Sequence, residues 1–177
     1  PSVAYEFVTT ADQINSVLHA LTLAKVIALD TETTGLRPFH KARMRLLTIN
    51  VGQFSTFILD CFSVDPSPVL EAIRNKVVIA HNWAFDGPFL AKHGFDYAAN
   101  SLRDTMIGSF LLNCGYKTSN SLASVLSMQL GIEMNKEHQK SDWSGKLTKE
   151  QLDYAALDVQ YLIPLHEKLV CLLKDAR

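Results

Sequence analysis

Two short apolar runs, residues 26–29 and 77–80, predict strands that are buried on both faces of a sheet. Residues 45–51 and 56–59 favour two further strands, which form an antiparallel meander with the first run. Tyr5–Val8 is a candidate for a short edge strand, and Ser101–Arg103 for a brief strand. Strand and helix alternate after residue 80. We therefore predict an α/β fold with a mixed five-stranded sheet, the meander plus parallel strands, flanked by helices.

Polar capping residues mark where the helices begin. Thr10 with Gln13, and Thr148 with Gln151, match the capping-box pattern at the start of the first and last helices. A proline in the last helix, Pro164, predicts a kink because it cannot donate a hydrogen bond to a carbonyl one turn earlier. The predicted helices cover residues 10–21, 68–74, 83–92, 105–113, 121–130 and 148–173.

Length and composition predict one domain over residues 1–177, with 47% hydrophobic and 20% charged residues. No apolar run approaches the ~18 residues of a membrane span, so no membrane association is expected. Three widely spaced cysteines and the lack of a secretory signal predict the cytoplasm or another reducing compartment. The chain begins with proline rather than methionine, which favours an excised domain, a processed chain or a chain that was trimmed for study.

The first apolar run ends in two acids, Asp30 and Glu32. Because side chains alternate along a strand, these two point to one face and Thr31 points to the other. Adjacent carboxylates repel, and a hard divalent cation such as Mg²⁺ between them would relieve the repulsion. The alternative is that the acids only begin a polar turn over residues 33–35. Judged on this pair alone, the turn is favoured.

A net charge of −1 does not exclude a phosphate-rich substrate. If four carboxylates bind metal, removing them from the net charge of −1 leaves +3 for the remainder. Four cations lie within the nine residues 37–45, shortly after the acidic pair. They could belong to a solvated loop, or they could bind phosphates of a substrate. They are Arg37, Lys41, Arg43 and Arg45.

Two later segments carry further acids. Asp86 is expected near the start of a helix that follows the strand at residues 77–80. Tyr154 and Asp158 are spaced i and i+4, so they share one face of the last helix. An exposed tyrosine–aspartate pair would have the same spacing. Only the combination of the three segments makes an active site the favoured interpretation.

These segments resemble three sequence motifs of the DEDD superfamily of 3′-5′ exonucleases, which have a ribonuclease H-like fold. The matching segments are V-I-A-L-D-T-E-T-T-G-L, I-A-H-N-W-A-F-D-G-P-F-L and Y-A-A-L-D, and the resemblance spans nearly the whole chain. The tyrosine four residues before the last aspartate resembles the tyrosine subclass, which includes the proofreading domains of family A DNA polymerases and the ribonuclease D group.

The resemblance implies a two-metal site with Mg²⁺ or Mn²⁺. Asp30, Glu32 and Asp158 would bind the first ion, Asp30 would be shared with the second, and Asp86 would hold or orient the second ion's water shell. Tyr154 is a poor base near its ordinary pKa of ~10, so we expect its hydroxyl to position the attacking water.

The resemblance also implies contacts with the substrate. Leu36 would wedge against the terminal base, and Asn82 and Phe85 would lie beside the last nucleotides, with Thr33 as a further expected contact. Leu36 and Phe85 could instead be core residues, and Asn82 a turn residue.

The expected function is 3′-5′ hydrolysis of single-stranded DNA ends to nucleoside 5′-monophosphates, with a polymerase attached or associated for proofreading. The first alternative is a ribonuclease D-like enzyme that acts on RNA. A catalytically silent nucleic-acid-binding domain is the third, and the retained acids, Asp30, Glu32, Asp86 and Asp158, argue against it.

Overall fold

The computed structural model describes residues 3–52, 55–114, 116, 118–134 and 141–176. The strands are β1 (Glu6–Val8), β2 (Val26–Thr33), β3 (Met44–Asn50), β4 (Thr56–Asp60), β5 (Val77–Ala80) and β6 (Ser101–Asp104). The helices are α1 (Ala11–Leu23), α2 (Ser67–Ala72), α3 (Trp83–Ala91), α4 (Thr105–Leu112), α5 (Leu122–Leu130), α6 (Lys149–Gln160) and α7 (Leu162–Asp175).

The strands form one mixed sheet in the order β1-β4-β3-β2-β5-β6. The predicted meander is confirmed, because β2 pairs antiparallel with β3, and β3 with β4. The other three pairings, β1 with β4, β2 with β5 and β5 with β6, are parallel. The sheet has six strands rather than five, since both short edge segments pair with a neighbour along their whole length.

Strand β2 lies in the middle of the sheet with helices on both of its faces. Ile27 and Leu29 face the cluster that includes α1 and α3, whereas Ala28 faces α6 and α7. All three side chains are fully buried. Alanines at 155 and 156 let α6 lie close to the sheet, beside Leu46 and Ile58. The alternation along β2 therefore decides which helix layer each residue at its end can reach.

Most predicted helix starts are confirmed by hydrogen bonds. Gln13 accepts from the Thr10 N–H at 3.1 Å, and Gln151 accepts from the Thr148 N–H at 3.0 Å. Asp104 caps two helices with one carboxylate. It accepts from the Met106 and Ile107 N–H groups of α4, and also from the Asn82 and Trp83 N–H groups at the start of α3.

The last helical segment is two helices instead of one kinked helix. The chain breaks at Tyr161 (φ −106°, ψ 1°), which ends α6 and precedes α7. Pro164 then lies in the first turn of α7, where a missing N–H is tolerated. Among the residues that the structure describes, none of the helices is long and apolar enough to cross a membrane.

Candidate active site

Three carboxylates meet at the end of β2, on the face covered by α6. Asp30 and Glu32 continue the face begun by Ala28, and Asp158 comes from α6. One oxygen from each carboxylate lies within 4.8 Å of the others. Glu32 and Asp158 are buried, with 9% and 7% of their surface exposed. The structure therefore brings together three of the four predicted metal ligands.

The fourth carboxylate, Asp86, approaches β2 from the opposite layer. It lies in the first turn of α3, as predicted, and is 1% exposed. Its Oδ1 accepts two hydrogen bonds from Thr31, one from the backbone N–H at 3.1 Å and one from Oγ1 at 2.6 Å. Asp86 lies outside the three-carboxylate group, and Thr31 fixes its position.

Sequence reasoning did not identify Thr31 as part of the site. The alternation rule placed its side chain on the face opposite Asp30 and Glu32, and that placement agrees with its bond to Asp86. The available signal was a hydroxyl residue between two acids, on the face where the next helix carries a further acid. Asp86 could be identified as the acceptor of the Thr31 hydrogen bonds only once α3 was known to pack on that face of β2.

Burial and repulsion from nearby carboxylates raise the pKa values of these acids, so each holds its proton to a higher pH than a free carboxyl group does. Burial is the main cause for all four. It raises the pKa of Asp86 to about 7, against the hydrogen bonds from Thr31, and the pKa of Asp158 to about 7, with Asp86 adding repulsion. The pKa values of Asp30 and Glu32 are also raised well above their usual range, with added repulsion from the neighbouring carboxylates. A bound cation would reverse these shifts because it stabilises the ionised forms.

Tyr154 donates its hydroxyl hydrogen bond to Asp158, one helical turn later. Burial, followed by the nearby charges of Asp158, Glu32 and Asp30, raises the pKa of the Tyr154 phenol far above its usual value. The phenol therefore keeps its proton at neutral pH, which agrees with the prediction that it is not a base. Its proton is donated to Asp158, and the hydroxyl oxygen can accept a hydrogen bond and so orient a neighbouring group.

The donor set fits a hard divalent cation. Asp30, Glu32 and Asp158 supply only carboxylate oxygens, which Mg²⁺ and Mn²⁺ prefer to nitrogen or sulfur. Their raised pKa values point the same way, because ionising all three in a buried cluster is costly without a compensating positive charge.

The carboxylates line a cleft of about 790 Å³ that also contains all four predicted substrate residues, Thr33, Leu36, Asn82 and Phe85. Leu36 is 81% exposed, which rules out a role in the core. Phe85 is half-buried and packs on the Phe89 ring at 5.5 Å between centroids, so one side is structural. Asn82 adopts the left-handed conformation (φ 77°) that starts α3, so it is also the turn residue considered above.

Another wall of the cleft comes from residues that the sequence did not single out. Met106, Asn120, Leu122 and Ala123 belong to α4, the loop after it and the start of α5. His81 holds this wall to β5, since its two ring nitrogens lie 2.8 Å from Thr105 Oγ1 and from the Asn120 carbonyl oxygen. The wall is assembled from distant segments without a shared pattern, so no local sequence signal could have revealed it.

Known proteins are similar to this chain in sequence and in fold. A family model described as 3′-5′ exonuclease matches residues 5–174. DNA polymerase I from Aquifex aeolicus (strain VF5) is 34% identical over 173 residues, which cover 97% of this chain and 28% of the polymerase. The chain similarly spans 44% of the Escherichia coli (strain K12) ribonuclease D sequence, so it covers less than half of each of these relatives.

Solved structures agree with the sequence comparison. Escherichia coli RNase D, described as an exoribonuclease involved in structured RNA processing, has a TM-score of 0.82 at 27% identity, covering 97% of this chain and 46% of that chain. Brucella melitensis NrnC with bound Mg²⁺ has a TM-score of 0.77 at 26% identity, covering 99% and 84%. These comparisons confirm the predicted resemblance and the ribonuclease H-like fold class. The chain belongs to the 3′-5′ exonuclease family.

Proposed function

We propose that this chain is a metal-dependent 3′-5′ exonuclease that hydrolyses single-stranded DNA ends to nucleoside 5′-monophosphates. The observation that carries the proposal is the buried three-carboxylate group of Asp30, Glu32 and Asp158, which lies beside Tyr154 in a cleft large enough for a nucleotide. The exposed Leu36 side chain lines the same cleft.

The carboxylates have distinct roles in this proposal. Asp30, Glu32 and Asp158 would hold one divalent ion, Asp30 would be shared with a second, and Asp86 would hold or orient the second ion's water shell. When bound, two such ions lower the pKa of a water and stabilise the attacking and leaving oxygens of an in-line displacement at phosphorus. Thr31 keeps Asp86 from rotating, because the backbone N–H and the hydroxyl of Thr31 both donate to the same carboxylate oxygen of Asp86.

Tyr154 and Glu32 act on the attacking water. The Tyr154 hydroxyl keeps its proton and positions the water by hydrogen bonding, while a Glu32 oxygen accepts a hydrogen bond from it. Leu36 packs against the terminal base, and Phe85, Asn82 and Thr33 contact the last nucleotides. Stacking and apolar contacts of this kind tolerate any base, as an enzyme that trims strands of any sequence requires.

DNA is the proposed substrate because the chain is 34% identical to a DNA polymerase I, compared with 29% for ribonuclease D. The polymerase relative also supports a proofreading role, with a polymerase attached or associated. RNA is the second candidate, favoured by the fold of Escherichia coli RNase D, which matches 97% of this chain. Three unpaired cysteines, Cys61, Cys114 and Cys171, fit a reducing compartment that contains nucleic acid.

The test is to incubate the chain with 5′-labelled single-stranded DNA and RNA of matched sequence, with Mg²⁺, with Mn²⁺ and with chelator. We expect 3′ trimming that requires the metal and is faster on DNA. Asp30→Ala should abolish it, whereas Asp12→Ala, an exposed carboxylate on α1, should not. Faster trimming of RNA would select the second candidate, and binding without trimming under every condition would contradict both and leave the silent binding domain.

A further inference from the structure

The stretch of sequence that follows the acids of β2 has an asymmetric charge. Residues 33–59 contain four arginines and lysines and no acidic residue, although the whole chain has 18 acids and 17 arginines and lysines. The first part of this stretch is the segment 36–42, here called the basic loop, which follows directly from the end of β2. Local positive charge beside a cluster of carboxylates is the electrostatic arrangement that a polyanion requires.

The basic loop is held in a defined shape by hydrogen bonds. Its two ends are closed by the Thr34 N–H to the Arg43 carbonyl and the Arg43 N–H to Thr34 Oγ1, both at 2.9 Å. Lys92, at the end of α3, donates from Nζ to the Pro38 carbonyl at 2.7 Å. The loop therefore presents its side chains without a large ordering cost on binding.

Two of the four cations are already used within the protein. The Arg45 guanidinium is buried and paired with Asp60 at 2.9 Å, and the Arg43 guanidinium lies 4.2 Å from the centre of the Phe62 ring. Arg37 and Lys41 are exposed, and neither forms a salt bridge within the described part of the chain. These two charges are available to a ligand.

An exposed aromatic residue, Phe39, lies between the two available charges in the sequence. Phe39 is 81% exposed, whereas phenylalanine side chains are usually buried. Packing in the core therefore does not explain why a phenylalanine is at this position. Arg37 and Lys41 also line an open groove of about 440 Å³, and this groove shares Thr34, Gly35 and Leu36 with the catalytic cleft. A strand that leaves the cleft past Leu36 would therefore pass directly onto the basic loop.

We propose that the basic loop binds the part of a single-stranded substrate that lies 5′ to the scissile nucleotide. Arg37 and Lys41 contact backbone phosphates, and Phe39 stacks on an unpaired base. This inference rests on the proposed function, because it takes the 3′ nucleotide to occupy the cleft. It makes the loop a determinant of substrate length: a strand of about 12 nucleotides reaches it, and a dinucleotide does not.

The test compares Arg37→Gln/Lys41→Gln with wild type and with Lys168→Gln/Lys174→Gln, a matched loss of two exposed charges on α7 that line neither cavity. Fluorescence anisotropy in chelator measures the binding of a 12-nucleotide strand without turnover. We expect the double variant to bind about tenfold more weakly, with a salt slope reduced by about 1.4, because each phosphate contact on a single strand contributes ~0.7. Phe39→Ala should weaken binding roughly tenfold without changing the slope.

Kinetics locate the effect on the strand. The double variant should raise KM for the long strand and leave kcat and dinucleotide hydrolysis unchanged, and Arg37→Lys/Lys41→Arg should restore wild-type binding. An unchanged affinity and salt slope would overturn the proposal, as would an equal loss on the dinucleotide. If the wild type trims nothing, the proposed function fails, and the anisotropy comparison still decides whether the loop binds single strands.

Discussion

Replacing Asp158 with asparagine should stabilise the metal-free protein. The folded-state pKa of Asp158 is about 7, against an ordinary value of 3.8. Each pKa unit corresponds to 1.36 kcal/mol, so keeping this carboxylate ionised in the fold costs about 4 kcal/mol at high pH. Asparagine has the same shape and no charge, and its amide oxygen can still accept the Tyr154 hydrogen bond. We therefore expect Asp158→Asn to raise the free energy of unfolding by about 2–4 kcal/mol at pH 8.

The size of this effect depends on pH in a defined way. Below the ordinary pKa of 3.8, Asp158 is protonated in both the folded and unfolded states, and its ionisation contributes nothing. As the pH rises toward 7, the unfolded chain releases the proton and the folded chain keeps it, so wild-type stability falls. Above the folded-state pKa the penalty is complete. The advantage of the asparagine variant should therefore grow between about pH 4 and pH 7 and then level off.

Urea denaturation followed by tryptophan fluorescence, with chelator present, measures the difference. Asp12→Asn, on the exposed surface of α1, is the matched control and should change stability by no more than about 0.5 kcal/mol. Adding Mg²⁺ should reverse the order of wild type and Asp158→Asn, since the variant loses a ligand. A variant that is no more stable than wild type at pH 8 in chelator would refute the reasoning that the cluster is strained by its own charge.

Three further predictions follow from the same site and its surroundings. Tyr154→Phe should lower the single-turnover rate about 100-fold with little change in KM, because the attacking water loses the hydroxyl that orients it; a defect confined to binding would contradict this role. Thr31→Val keeps the shape of the side chain but removes the 2.6 Å hydrogen bond to buried Asp86. It should cost about 1–2 kcal/mol in urea denaturation and also reduce turnover, and retained activity would show that this bond does not position Asp86. The pKa of the Cys61 thiol is raised to about 12, mainly by burial and then by Asp60, so at pH 8 a thiol reagent should label the two exposed cysteines first. Mass spectrometry of the labelled peptides measures the order.

Much of the site could be predicted because its parts obey local rules. Strand alternation placed Asp30 and Glu32 on one face, helical spacing placed Tyr154 beside Asp158, and Asp86 was expected near a helix start. Each of these relations depends on residues a few positions apart, and the structure contains all of them. The roles of these residues in binding metal and cleaving the substrate stay predictions.

The remaining features depend on how distant segments pack. Asp86 belongs to the opposite helix layer, and only the position of α3 shows that Thr31 rather than Asp30 binds it. The break at Tyr161 was predicted instead as a kink near Pro164, because sequence locates the lost hydrogen bond but not how far the chain departs from helix. The sixth strand depended on pairing partners that a short segment cannot specify alone.

Asp104 does not line the cleft, but the geometry of the site should depend on it because its carboxylate caps two helices. Its carboxylate holds the starts of α3 and α4 together, and α3 carries Asp86 only a few residues later. In a random-mutagenesis screen for loss of nuclease activity, substitutions at Asp104 should therefore be recovered with those at the four acids proposed to bind metal. Loss of activity on substitution of Asp104 would therefore not mean that Asp104 contacts the substrate. It would mean that Asp104 holds the helix that carries Asp86.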